Sequence, residues 1–340
     1  MEFPKISIVT PTLNAASVLE KELESVREQD YPKDKIEIIV ADGGSTDATV
    51  EIAEKYGARV VNNPLKTGEA GKAVGVKEAT GDFIVLIDSD NILPTKDWLK
   101  RMVVPLLENS EAVGSEPWEY TWRKEDSFIT RYSALIGMND PMVHFLGNYD
   151  RVNLLTGKWT EVLHEEKDFG DYLLVTLDKR GVPTIGANGT VFRADFLKEN
   201  LRGDYLFDID IIAKSIRERG SVKFIKVKNG IIHTFCEANI GKFAKKQRRR
   251  VRDYLYHKSK NGRSYEWENS SNRIGLMRFG LSCIFIFPLI LQAIRGYLRK
   301  SDWAWFFHPL ACEITLWEYG WGFVWGFFSR AEMSRESWGQ

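Results

Sequence analysis

The chain of 340 residues has only three cysteines, Cys236, Cys283 and Cys312, and no Cys-x-x-Cys pair. That excludes a disulfide-stapled scaffold and a structural zinc module, and it fits a reducing compartment. An excess of one charge sign is also missing. Lys plus Arg and Asp plus Glu number 47 each, so no global field favours nucleic acid, and charge-driven binding has to be local. Histidine is scarce as well: His164-Glu165-Glu166 lacks the second His of a zinc-protease motif, and His144 has no partner at a useful spacing. The opening Met1-Glu2-Phe3-Pro4-Lys5 carries no basic and apolar leader, from which a non-secreted chain is expected. Finally, no clean apolar run reaches the roughly 20 residues of a straight membrane span. Residues 279–294 are uncharged but only sixteen long, and 303–328 is broken by His308, Glu313 and Glu318.

What is present is a chain with 44% hydrophobic and 28% charged residues, sufficient for one large α/β core and an appendage. Short β-branched runs at 5–10, 36–41, 58–61 and 82–87 alternate with amphipathic stretches, the pattern of a parallel sheet built from βα units. Leu19, Leu23 and Val26 recur at helical spacing, and Tyr31-Pro32 stops that helix before the second strand. The segment from 114 to about 184 is mixed and reads as a variable lobe on the same domain. Regularity returns with a strand at 188–193, a helix opening at Asp208-Ile209-Asp210 and closing at Gly220, and a strand at 222–227.

Chemistry concentrates at the strand ends. Asp88-Ser89-Asp90 follows the apolar run Phe83-Ile84-Val85-Leu86-Ile87, and in α/β sheets ligands sit outside the carboxyl ends of strands. Four other blocks precede it in order: Thr10-Pro11-Thr12-Leu13-Asn14, Ser25 through Gln29-Asp30-Tyr31-Pro32, Asp42-Gly43-Gly44-Ser45-Thr46-Asp47, and Gly71-Lys72-Ala73 through Gly81-Asp82. Together these blocks resemble the family 2 glycosyltransferases, over roughly residues 5 to 235. The resemblance implies an α/β fold of GT-A type, Rossmann-like with a mostly parallel central sheet.

It further implies roles for particular residues. Pro11, Thr12 and Asn14 would line the nucleotide pocket, and Asp42 would accept from the base or ribose. Asp88, with Ser89 beside it, would face the ribose, and Lys72 would approach a phosphate or the sugar. Asp90 would hold Mg²⁺ or Mn²⁺ on the donor diphosphate, oxygen ligands suiting either ion. His233 stands where some members place another metal ligand, although a histidine closing an apolar strand equally suits a structural role. Asp208 would be the general base, with Asp210 next, the alternative being a helix N-cap. Asn188 and Arg193 would lie toward the acceptor. Ala15 replaces a glutamate that many members carry, and Phe207 replaces the one expected before the base.

Residues 241–263 hold ten Lys or Arg against one acid, Asp253. Lys245, Arg248 and Arg249 of this run are candidates for lipid headgroups or a lipid-linked diphosphate. Gln247-Arg248-Arg249-Arg250-Val251 approximates the QxxRW signature of processive synthases with Val in place of Trp, and too little chain follows for a membrane channel. A non-processive enzyme is expected. Seven of the eleven tryptophans fall from Trp267 onward, which suits an interfacial belt.

The expected organisation is a catalytic domain at 1–240 (donor half 1–115, acceptor half 116–240), a basic helical linker at 241–275, and Trp-rich in-plane or re-entrant membrane-associated helices at 276–340. The expected activity is inverting, metal-dependent transfer of one sugar, UDP-linked, to a hydroxyl of a lipid or lipid-linked saccharide at the cytoplasmic membrane face, without nucleic acid. A polyprenyl-phosphate sugar synthase and an inactive nucleotide-sugar-binding scaffold are the alternatives.

Overall fold

The computed structural model describes residues 3–260, 262–265 and 270–328; Trp267 and Trp338 lie outside them. In chain order the elements are β1 (Ile6–Thr12), α1 (Ala16–Arg27), β2 (Ile36–Asp42), α2 (Thr49–Lys55), β3 (Arg59–Asn62), α3 (Gly68–Glu78), β4 (Phe83–Leu86), β5 (Asn91–Ile92), α4 (Trp98–Glu108) and β6 (Ala112–Tyr120). Then come α5 (Phe128–Ile136), α6 (Met142–Leu146), β7 (Glu165–Asp168), β8 (Tyr172–Asp178), β9 (Thr190–Arg193), α7 (Ala194–Asn200), α8 (Asp208–Arg219) and β10 (Ser221–His233). The C-terminal helices are α9 (Ile240–Ser259), α10 (Ser270–Phe285), α11 (Phe287–Arg299) and α12 (His308–Phe328), with a 3₁₀ turn at Trp303–Phe307.

The described residues form two compact units, one made of 3–118 with 163–233, the other of 119–162 with the described residues between 234 and 328. This corrects the expected division. The segment 119–162 is not a lobe of the sheet domain, and 241–275 is not simply a linker. Ile129, Tyr132 and Leu135 of α5 share one core with Phe243 of α9, Trp305 and Phe307 of the 3₁₀ turn and Ala311 of α12. Apolar residues far apart in sequence find each other here, so no local period announces the unit.

The first unit is built on a ten-stranded sheet of order β3-β2-β1-β4-β9-β6-β10-β8-β7, with β5 paired to β10. β3, β2, β1 and β4 are parallel neighbours; β9 joins β4 antiparallel, and β10, β8 and β7 continue antiparallel. Ile6, Ile8, Val9, Ile84, Val85 and Leu86 are fully buried, as strands covered on both faces require. α3 lies unusually close to β1 because it presents Gly71 and Gly75, one turn apart. A Cβ at 71 would stand 2.7 Å from Pro11 Cβ, and one at 75 would enter the Val9 side chain. That close approach sets Lys72 against the carboxyl edge of the sheet.

In the second unit no single described helix is long and apolar enough to cross a membrane; α10 and α11 reach that length and hydropathy only as a pair bent by 95°. The break falls at Ile286, whose φ is 55, with Pro288 in the first turn of α11, where its missing N–H cannot carry the ladder of α10 onward.

Candidate active site

β1, β2 and β4 end side by side, delivering Thr12, Asp42 and the turn at Asp88 to one edge. Asp42 is buried and accepts four hydrogen bonds. Thr12 Oγ1 (2.9 Å) and Ser45 Oγ (2.5 Å) donate to Oδ1, while the amides of Gly44 (2.9 Å) and Ser45 (2.8 Å) donate to Oδ2. An ionised carboxylate has about four acceptor positions. Asp42 thus clamps the Gly-rich loop at the edge where the nucleotide is expected.

Asn14 is likewise engaged. At φ 51 it receives the Thr46 amide on Oδ1 (2.9 Å), and its own amide donates to Ser45 Oγ (2.8 Å). These bonds tie the β1 and β2 loops together. Asp47 does what the residue at 15 cannot: its Oδ2 accepts the Ala16 amide (3.1 Å) at the start of α1, where Ala15 offers no side-chain cap. Pro11 lies at the β1 end against α3.

The metal candidates meet through sheet register. The Asp88 amide donates to Asn91 Oδ1 (3.1 Å) and the Asn91 amide to the Asp88 carbonyl (2.9 Å), closing a turn with Ser89 and Asp90 at its tip. β5 then pairs antiparallel with β10, placing Asn91 opposite His233. In consequence His233 Nε2 stands 3.2 Å from Asp90 Oδ1. Asn91, fully buried, donates from Nδ2 to Asn188 Oδ1 (3.1 Å), which puts Asn188, expected toward the acceptor, beside the acidic turn.

One carboxylate oxygen and one imidazole nitrogen at this separation fit a divalent cation of the Mn²⁺ or Mg²⁺ kind. Among the described residues no group of three His, Cys, Asp or Glu side chains is placed to hold an ion unaided. The pair suits a metal that completes its shell from a bound diphosphate.

Across the edge, Lys72 Nζ lies 2.6 Å from Asp208 Oδ2, with side chains 8% and 12% exposed. Asp208 occupies the first turn of α8 and makes no capping bond, so the capping alternative falls. The Leu206 amide donates to the Glu69 carbonyl (2.9 Å), binding the approach to α8 onto α3. Burial pushes the Asp208 carboxyl up; Lys72 opposes this, while Asp88 and Glu69 reinforce it. Burial works against the Lys72 ammonium, yet Asp208, Glu69 and Asp88 together outweigh it and hold Lys72 above the usual range. Asp208 moves up chiefly because it is buried, and Lys72 because three carboxylates face it. The Lys72–Asp208 pair is the feature the strand-end motifs do not reveal, since 136 residues separate its members. Asp210 is buried on the same turn.

One residue expected toward the acceptor, Arg193, lies elsewhere. Arg193 pairs with Phe83 at the opposite end of β4 from Asp88, donates to the carbonyls of Ala112 (2.8 Å), Leu106 and Asn109 (3.3 Å), and lies over the Phe83 ring. Its guanidinium anchors strand to helix and does not face the site. In the second unit Arg248 forks onto Glu318 (2.6 and 2.8 Å), which neutralises it, and Arg249 lies 3.9 Å from Asp253. Lys245 is half-buried on the same helix. Gln247 is buried and donates to the Asn139 carbonyl (2.9 Å), and Val251 packs where Gly322 leaves room. The QxxRW-like stretch is therefore a helix-packing face.

A mixed sheet carrying an acidic turn at its carboxyl edge, with a buried carboxylate at a helix start beside it, is the architecture of a GT-A glycosyltransferase. The mannosyltransferase PcManGT of Pyrobaculum calidifontis, solved with GDP-Man and Mn²⁺, shares the fold over 94% of this chain and 88% of its own, with a TM-score of 0.51 and 15% identity. The Glycosyl transferase family 2 profile matches residues 7–195, more than half of the chain, and the chain belongs to that family of transferases.

Over 105 residues it is 35% identical to the dolichyl N-acetyl-alpha-D-glucosaminyl phosphate 3-beta-D-2,3-diacetamido-2,3-dideoxy-beta-D-glucuronosyltransferase of Methanococcus voltae, covering 29% of this chain and 32% of that one. Over 97 residues it is 38% identical to the GalNAc(5)-diNAcBac-PP-undecaprenol beta-1,3-glucosyltransferase of Campylobacter jejuni, covering 26% and 31%. The chain spans about a third of the length of these two curated relatives.

Proposed function

We propose that the chain is an inverting, divalent-metal-dependent glycosyltransferase that moves one sugar from a nucleotide diphosphate sugar to a hydroxyl of a lipid or lipid-linked saccharide. The observation that carries this reading is Asp208: buried, with Oδ1 free of any hydrogen bond and Oδ2 held by Lys72, on the same sheet domain as the Asp90–His233 pair. Asp208 takes the proton of the acceptor hydroxyl as its oxygen bonds to the anomeric carbon. The bond from that carbon to the diphosphate oxygen breaks, and its electron pair leaves with the nucleoside diphosphate. Asp90 and His233 would hold the metal, which when bound offsets the negative charge gathering on the departing diphosphate. The two relatives, whose names specify lipid-linked saccharides, support such an acceptor. A UDP-sugar is the first donor to test, with GDP-sugars beside it.

The test is nucleoside diphosphate release from a panel of UDP- and GDP-sugars with Mn²⁺ and a total membrane lipid extract. Lipid-dependent release that disappears in Asp90→Ala and in Asp208→Asn is expected. Full turnover by Asp208→Asn would point instead to an already ionised phosphate acceptor, and donor binding without turnover to an inactive scaffold.

The same reading places the chain on a membrane, at the cytoplasmic leaflet. Ile284, Phe285, Ile286 and Phe287 crowd the exposed bend between α10 and α11, and Leu298, Trp303, Trp317 and Trp321 are also exposed. Trp305 is the exception, buried against Gly296. Arg278, Arg295, Arg299 and Lys300 flank these apolar residues in sequence. Apolar side chains bounded by cations suit an in-plane or re-entrant seat at the headgroup boundary. Flotation with vesicles of anionic lipid should carry the protein upward, and Phe285→Glu/Phe287→Glu should leave it at the bottom; equal flotation of both would refute the seat.

A further inference from the structure

Lys72 and Asp208 are brought together by two separate backbone constraints. Gly71 and Gly75 seat α3 on β1, and the Leu206 amide fastens the start of α8 to the Glu69 carbonyl. The outcome is a 2.6 Å contact between Nζ and Oδ2, while Oδ1 of the same carboxylate is buried and makes no hydrogen bond. We infer that Lys72 is the positioning residue of the base, holding Asp208 ionised and turning Oδ1 toward the acceptor, and is not a ligand of the donor. This rests on the assignment of Asp208 as the base.

The physical need is specific. A carboxylate removed from water keeps its proton, and a protonated Asp208 cannot accept one from a hydroxyl. Glu69 on α3 and Asp88 after β4 face the same group and add to the difficulty. Lys72 is the cation that opposes them, and those same three carboxylates keep it protonated. One oxygen of Asp208 is thus engaged by the counter-ion and the other is left for the proton. Lys72 neither gains nor loses a proton in the transfer. It acts through Asp208 alone, which separates it from a phosphate-binding lysine, whose loss would weaken nucleotide affinity.

The experiment compares the full chain with Lys72→Met, Lys72→Arg and Asp208→Asn. It measures kcat/KM against pH with the nucleotide sugar that the panel identifies and the lipid extract, and UDP or GDP affinity by calorimetry. In Lys72→Met the acid limb of the profile should move up by about one to three pH units, with nucleoside diphosphate affinity changed by less than about threefold; Lys72→Arg should return the limb toward its original place. An unmoved limb, or a tenfold or greater loss of UDP or GDP affinity, would overturn the inference. Retained turnover by Asp208→Asn would instead remove the assignment of the base, whatever Lys72 does. If Lys72→Met does not fold, the double variant Lys72→Met/Asp208→Asn removes both charges together. Near-original nucleoside diphosphate affinity in that protein supports the inference, and a tenfold loss overturns it.

Discussion

Glu22 allows a quantitative test of the packing beneath the nucleotide edge. It sits on α1, fully buried under β1, where Thr10 Oγ1 donates to Oε1 (3.1 Å) and Oε2 has no partner. Burial pushes its pKa up to about 8, against 4.5 for the ordinary group. Below the ordinary value both folded and unfolded chains carry the proton and nothing is lost. Between the two values the folded chain keeps a proton that the unfolded chain has released, so stability falls as pH rises, by about 1.4 kcal/mol per unit. Over the whole interval the loss is roughly 5 kcal/mol, and above it the penalty is constant.

Glu22→Gln keeps the size and the acceptor for Thr10 and has no proton to lose. The difference in unfolding free energy between this variant and the original chain should therefore widen by about 1.4 kcal/mol per pH unit from about pH 5 to 8. Urea titrations at each pH measure it, and in thermal scans each kcal/mol corresponds to about 2–4 °C. Parallel stability curves for the two proteins would show that Glu22 titrates normally and refute the reasoning.

Lys226 and Glu116 form a fully buried ion pair between β10 and β6 (2.7 Å), with Lys226 Nζ also donating to the Pro117 carbonyl (2.9 Å). Lys226→Met should cost about 3–5 kcal/mol, and Lys226→Met/Glu116→Leu should recover most of it; denaturant titrations in which the double variant is no better than the single would contradict this. Asp42→Asn replaces two of the four acceptor positions with an N–H group that cannot accept. It should destabilise by about 1–3 kcal/mol and raise the dissociation constant for nucleoside diphosphate through a loosened loop. Calorimetry showing unchanged affinity would free that loop of any part in binding.

The Asp88–Asp90 turn, the helix opening at Asp208 and the parallel strands of the first half were legible because each is local: a period, a turn composition or an i, i+2 spacing sits within a few residues. The burial of Asp42 by its own loop was not, because the same Gly-rich turn can either offer its carboxylate or consume it, and hydrogen-bond geometry decides which. Arg193 shows the same limit: a cation beside a strand reads alike at either end, and only its pairing with Phe83 puts it far from Asp88.

The sequence by itself determined the α/β class, the family, the strand-end carboxylates and the apolar C-terminal region, since periodicity and motif order survive without coordinates. The tertiary structure alone decided the partners. It set Lys72 on Asp208, brought His233 to Asp90 through the register of β5 with β10, and merged residues 119–162 with the C-terminal helices. Contacts between residues a hundred or more positions apart are set by chain topology and by the burial of apolar surface in one core, and neither is written in any single stretch of the chain.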